Sequence, residues 1–239
     1  MRSYRSPRNP KPETKDPRRA GVVSAIEQQE RRGGRRSNVY LDGRYAFSLT
    51  TELAIQELHV GDAISVERYA ALVLKDQQAR CFDAALRFLG ARPRSEREMR
   101  DRLARHEFDV TVVDRVIERL RRINLVDDAA FAAYWVEQRA THRPRGSRLL
   151  KQELRQKGVS QDVLAEALSS DDDEAGAYRA AQRKATSLRT FDERTFKQRL
   201  GSFLQRRGYG YETIKPVVNR LWQEATGQPG SDDETGAVD

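Results

Sequence analysis

One cysteine in 239 residues, Cys81, excludes an intrachain disulfide and argues against a cysteine-held metal site. Its setting beside Phe82 and Ala85 predicts a small buried apolar side chain. No run approaches the roughly 18 apolar residues of a membrane helix, and the N-terminus lacks the apolar core of a signal peptide. A cytoplasmic protein without membrane contact is the resulting expectation. His59, His106 and His142 stand too far apart for HxH or HxxxH ligation. Neither GxxxxGK followed by Ser or Thr nor GxSxG occurs. Gly33-Gly34 sits between arginines in a hairpin-like setting that makes a poor phosphate cradle. No catalytic apparatus is visible, and no cofactor is implied.

Charge is plentiful instead. Charged residues make up 33% of the chain and mean hydropathy is −0.80, so core material is thin and must be distributed. Small three-helix units meet that constraint, because each helix needs only one apolar stripe. The net charge of +8 favours an acidic partner such as nucleic acid or an assembly that contains it. The excess is uneven. Residues 1–20 carry Arg2, Arg5, Arg8, Lys11, Lys15, Arg18 and Arg19 among four prolines, a composition expected to form a disordered basic arm. Residues 226–239 hold Asp232, Asp233, Glu234 and Asp239 with no base, a disordered acidic tail by the same reasoning.

Between those ends a pattern occurs three times. Leu154, Gly158, Val163, Leu164 and Leu168 recur fifty residues later as Leu204, Gly208, Thr213, Ile214 and Val218, and fifty-one residues earlier as Leu103, Glu107, Val112, Val113 and Ile117. A period near fifty points to tandem helical modules that bury together what one copy cannot bury alone. The expected fold is mainly α: three tandem three-helix repeats at 79–125, 126–170 and 171–225, in an elongated curved array. A β-rich and helical domain at 21–78 precedes them, with a hairpin turn at Asp42-Gly43, a short helix capped by Thr50 or Thr51, and a long helix opened by Ser65. Ser95 with Glu98 forms a capping-box signature in the first repeat. Pro216 is awkward inside the last helix, so that helix is expected to start later than Tyr211.

The segment Arg92-Pro93-Arg94-Ser95-Glu96-Arg97-Glu98-Met99, then Leu103, Leu125-Val126-Asp127-Asp128, Phe131-Ala132, Arg139, and Gly146 through Leu154 to Lys157-Gly158 resembles the signature of RecX regulators. The similarity covers residues 21–225, and the order and spacing of the motifs make it specific. It implies a bacterial cytoplasmic protein of three tandem three-helix repeats that binds the RecA filament on single-stranded DNA; a monomer is the separate expectation for its oligomeric state. Its implied effect is to inhibit the filament's extension, ATPase, strand-exchange and coprotease activities in DNA repair, homologous recombination and the SOS response. One departure is visible: His106-Glu107 stands where the later repeats have Lys157-Gly158 and Arg207-Gly208, which bears on the geometry of the first turn alone.

Arginines concentrate at helix ends and turns: Arg92 and Arg94, Arg121 and Arg122, Arg143, Arg145 and Arg148 with Lys151, and Arg206 and Arg207. Aligned on one side of stacked repeats they form a stripe suited to phosphates, since a guanidinium binds two oxygens at once and each neutralised phosphate releases counterion. Acidic side chains of a protein filament suit it equally. The competing explanation is a solvated face with local ion pairs to Glu96, Asp101, Glu118 and Glu153. Tyr209, at the position of Val159, reads as core, while Tyr211 could pack or stack on a base. Trp135 and Trp222 read as core. Asp171 to Glu174 read as a helix cap and joint in preference to a metal site. Two functions from different classes follow: a RecA-filament regulator with accessory non-specific binding to single- and double-stranded DNA, or a stand-alone basic helical DNA-binding protein.

Overall fold

The computed structural model describes residues 20–30, 35–168 and 173–227. The basic arm up to Arg19, Gly33-Gly34, Asp171-Asp172 and the acidic tail from Gln228 lie outside the described residues. The chain divides into two compact units: residues up to 84 with 108–116, and residues 85–107 with those from 117 on.

In the first unit, β1 (Gly21–Gln28), β2 (Arg36–Leu41), β3 (Arg44–Thr50) and β4 (Ala63–Ile64) form an antiparallel sheet in the order β3-β2-β1-β4. The hairpin falls where Asp42-Gly43 predicts it. Both turn residues are left-handed, with φ of 47° and 75°, the twist that a two-residue hairpin requires. Alternation places Val23, Val39, Leu41, Phe47 and Leu49 on the buried face, joined by Ala54 of α1 (Thr51–Glu57) and by Tyr69 and Leu72 of α2 (Val66–Leu89). Asp76 of α2, 4% exposed, accepts the Thr50 amide at 2.6 Å and pairs with Arg36 at 3.2 Å, so the buried charge is compensated. Thr50 caps α1 by position, without a side-chain hydrogen bond. Ser65 opens α2 by accepting the Arg68 amide.

The repeats follow. Helix α2 is continuous through residues 78 and 79, and its end, α3 (Glu96–Ala104) and α4 (Val110–Arg122) make the first repeat. The second is α5 (Asp128–His142), α6 (Ser147–Gln156) and α7 (Gln161–Ala167); the third is α8 (Asp173–Thr186), α9 (Glu193–Arg206) and α10 (Tyr211–Thr226). Phe131, Leu154, Val159 and Leu164 form the second core, and Ala181, Phe196, Leu200, Leu204, Tyr209, Val218 and Leu221 belong to the third. Cys81 is wholly buried as expected, and desolvation pushes its thiol up to about 11.

Two sequence expectations need correction. Helix α10 begins at Tyr211, since the Gly210 carbonyl already accepts the Thr213 and Ile214 amides; Pro216 therefore lies inside the helix. It is tolerated because Pro216 and Glu212, whose carbonyl loses its partner, both face solvent. The capping box at Ser95 is only half formed. Ser95 Oγ accepts the Glu98 amide at 3.2 Å, but the Glu98 carboxylate turns away to Arg92 and Lys157.

Successive repeats are joined by matching contacts. The Glu96 amide at the start of α3 donates to Asp128 at 2.8 Å, and the Ser147 amide at the start of α6 donates to Asp173 at 2.9 Å. Each aspartate opens the first helix of the next repeat. Beside these, Ser95 Oγ donates to the Lys157 carbonyl at 2.7 Å, and the Gly146 amide to the Arg207 carbonyl at 2.9 Å. Helix starts that lack internal partners are thus satisfied by the following module. Glu107, Gly158 and Gly208 end the second helices with φ of 59°, 87° and 89°, so the departure at Glu107 leaves the turn left-handed. Glycine is demanded where the previous repeat presses in: a Cβ on Gly158 would lie 2.6 Å from Arg97 Cβ, and one on Gly208 would lie 2.4 Å from Leu149 Cβ.

Candidate functional site

The arginines at helix ends separate into engaged and outward-facing groups. Arg92 pairs with Glu98 at 3.0 Å, and Lys157 pairs with the same carboxylate. Arg145 and Arg139 converge on Glu153, which also accepts the Trp135 indole N–H at 2.8 Å. Trp135 is accordingly more than a core residue. It packs against Phe131 and carries Arg139, Lys157 and Arg92 at 4.4, 5.3 and 5.7 Å from its ring centre. Arg94 stacks on Phe88 at 4.0 Å, and burial, then the neighbouring Arg92, draws its guanidinium below the usual arginine range. Arg121 pairs with Glu96. Arg207 lies over Phe203 at 4.6 Å and donates to the Pro144 carbonyl.

Burial resists ionisation of Glu98, but the hydrogen bonds and charges of Arg92 and Lys157 outweigh it and hold the carboxyl below its ordinary value. Such a group adds stability above its unfolded value of 4.5, which is lost as pH falls through the lower folded value. Asp128 acts in the opposite sense, since burial pushes its carboxyl up and folding then favours the protonated form. Replacing Glu98 by glutamine is expected to cost about 1–3 kcal/mol at pH 7 by weakening charged hydrogen bonds. Urea midpoints at pH 7 and pH 3 should differ less for this variant than for the wild type. Equal acid losses would remove Glu98 from the linkage.

Arg122, Arg143, Arg148 and Arg206 are exposed, Lys151 is half-buried, and Tyr211 is 68% exposed. Core packing is thus excluded for Tyr211 and established for Tyr209, which is 2% exposed. Arg148 and Lys151 share one face of α6 with Arg155, and with Arg97 of α3 they line an open groove of about 560 Å³ bordered by Gln152 and Gln156. Glu98 and Glu153 are occupied by Arg92, Lys157, Arg139 and Arg145; within the groove Arg97 has only a long, exposed pairing with Asp101 at 4.0 Å and Arg155 donates to the neutral Gln161, which leaves the groove net cationic. Arg97 and Arg155 were not among the expected contacts. Helical spacing from Arg148 through Lys151 identifies Arg155, and the fifty-one-residue repeat offset maps Arg97 onto Arg148.

Asp173 is used by Ser147, whose amide and hydroxyl both donate to it. Among the described residues no group of three His, Cys, Asp or Glu side chains is placed to hold a metal ion. No helix among them is long and apolar enough to cross a membrane.

Three successive trihelical units, with cations gathered on a second helix, define a tandem three-helix-repeat protein. The models of the first, second and third three-helix domains of RecX match residues 81–120, 127–168 and 171–218. A regulatory protein RecX of Clostridium botulinum (strain Eklund 17B / Type B) is 36% identical over 202 residues, covering 82% of this chain and 94% of that protein. One from Limosilactobacillus reuteri (strain DSM 20016) is 32% identical over 203 residues, covering 82% and 76%. A crystal structure of regulatory protein RecX superposes with a TM-score of 0.65 at 29% identity, covering 83% of this chain and 98% of that one. The chain belongs to the RecX family of regulatory proteins.

Proposed function

We propose that this protein binds the RecA filament on single-stranded DNA and inhibits its extension and its ATPase, strand-exchange and coprotease activities. It acts in the cytoplasm as a monomer, by binding and without a chemical step of its own, and has accessory non-specific affinity for single- and double-stranded DNA. The observation that carries this reading is the cationic groove of Arg97, Arg148, Lys151 and Arg155 on a chain of the RecX family. Arg122, Arg143, Arg206 and Tyr211 extend the contact surface. Arg92, Arg94, Arg121, Arg145 and Arg207 contribute less, because their head groups are engaged within the chain. Modular repeats support contact with more than one protomer of a filament, which multiplies weak contacts into avidity.

Filament ATPase on single-stranded DNA provides the test. A filament-directed inhibitor slows hydrolysis at protein concentrations well below that of DNA sites. A stand-alone DNA-binding protein, the second reading, competes for DNA and must be in excess. Its support is the last turn of α4, with Arg119, Arg121 and Arg122, although Arg121 is held by Glu96. Inhibition only at excess would replace the first reading with the second.

A further inference from the structure

We propose that the groove between α9 and α10 is a docking site for an acidic peptide segment that carries one large apolar side chain. The inference goes beyond the filament reading and requires no particular partner. It starts from Gly201, which occupies the third-repeat position held by Arg100 and Lys151 in the earlier repeats. Glycine inside a helix is unfavourable relative to alanine. Packing does not demand it here, because a Cβ would meet only Ile214 Cγ2, at an ordinary 3.7 Å. What the missing side chain does is open a groove of about 340 Å³, walled by Ile214, Val218 and the Tyr209 ring.

The rim has a different character. Arg148, Lys215 and Lys197, the last paired with Glu193 at 2.7 Å, surround these apolar walls, and Arg148 leans over Gly210, 3.7 Å from where a Cβ would stand. Tyr211 stands exposed beside it. Cations around an aliphatic floor complement carboxylates flanking an apolar anchor. Gln198, Gln205 and Asn219 also line the groove and could meet base edges, so the preference for a peptide rests on the apolar walls, which suit an aliphatic or aromatic side chain better than a polar base edge. The neighbouring α6 groove, proposed above for phosphates, has no apolar side chain in its lining, which is Arg, Lys and Gln alone. Arg148 borders both.

The test uses the full chain and a fluorescein-labelled decapeptide of Asp and Glu with one central Phe, read by anisotropy. A matching peptide with Ala for Phe and a fluorescein-labelled (dT)15 complete the set. The Phe peptide should bind at least tenfold tighter than the Ala peptide. Gly201→Leu, which fills the groove, should weaken the Phe peptide at least fivefold while leaving (dT)15 affinity within twofold. Lys197→Glu with Lys215→Glu should abolish binding of both peptides, with helicity checked by circular dichroism. No binding of the Phe peptide at millimolar concentration, equal binding of the two peptides, or insensitivity to Gly201→Leu would each overturn the proposal. A loss of (dT)15 binding in Gly201→Leu equal to the loss of peptide would overturn it too, by making the groove a nucleic-acid site.

Discussion

Gly208→Ala will destabilise the junction of the second and third repeats by about 2–5 kcal/mol in urea denaturation, more than any exposed substitution in the molecule. Two costs combine. Alanine at φ of 89° brings its Cβ against the neighbouring carbonyl, roughly 1–2 kcal/mol. The same carbon would then stand 2.4 Å from Leu149 Cβ and 2.7 Å from its amide nitrogen, and such overpacking costs about 1–3 kcal/mol more. Backbone lines the contact, so no side-chain rotation relieves it. Gly146→Ala is the companion variant, since its Cβ would meet the Gly208 and Tyr209 backbone at 2.5 Å. Glu107→Gly should move the other way by up to about 1 kcal/mol, because it removes the strain of a side chain at φ of 59°. A loss under 1 kcal/mol for Gly208→Ala would mean that the joint yields more freely than its geometry indicates.

Combined replacement of Arg148, Lys151 and Arg155 by alanine will reduce affinity for (dT)15 and for the recombinase filament at least tenfold at moderate salt. Helicity should be unchanged. These side chains leave the buried Leu150 and Leu154 side of α6 untouched, and alanine is the best helix former. Losing three phosphate contacts should also flatten the plot of log affinity against log salt by about 2 for a single strand. Arg143 and Arg206, exposed but outside the groove, should have smaller effects when replaced singly. Unchanged inhibition by the triple variant would remove the α6 face from the interface.

How legible this molecule is in its sequence depends on whether a feature repeats. Buried Leu103, Leu154 and Leu204 recur at the offsets read from the chain, because a helical core imposes the same period on every copy. The Asp42-Gly43 hairpin and the Ser65 cap are local, so nearby residues suffice to place them. The joint is neither. Asp128 reads as one more helix-starting acid, and nothing near it in sequence reveals that its carboxylate reaches the Glu96 amide, thirty-two positions away. Arg145 and Arg148 are close in sequence, yet Arg145 lies in the loop before α6 and turns to Glu153, while Arg148 lies in the first turn of the helix and is exposed. Glu98 had two acceptable partners, the Ser95 amide and the Arg92–Lys157 pair, and two cations outcompete one neutral donor.

The last module carries its own terminator. Its second helix starts a turn early relative to the repeat register and is closed by Asp192, which accepts the Thr195 amide at 3.0 Å. Helices α3 and α6 instead borrow an aspartate from the unit that follows. At the opposite end Glu107 makes the left-handed turn without a glycine, at φ of 59°. The start of α9 is thus satisfied from inside its own repeat, whereas the starts of α3 and α6 depend on the repeat that follows them.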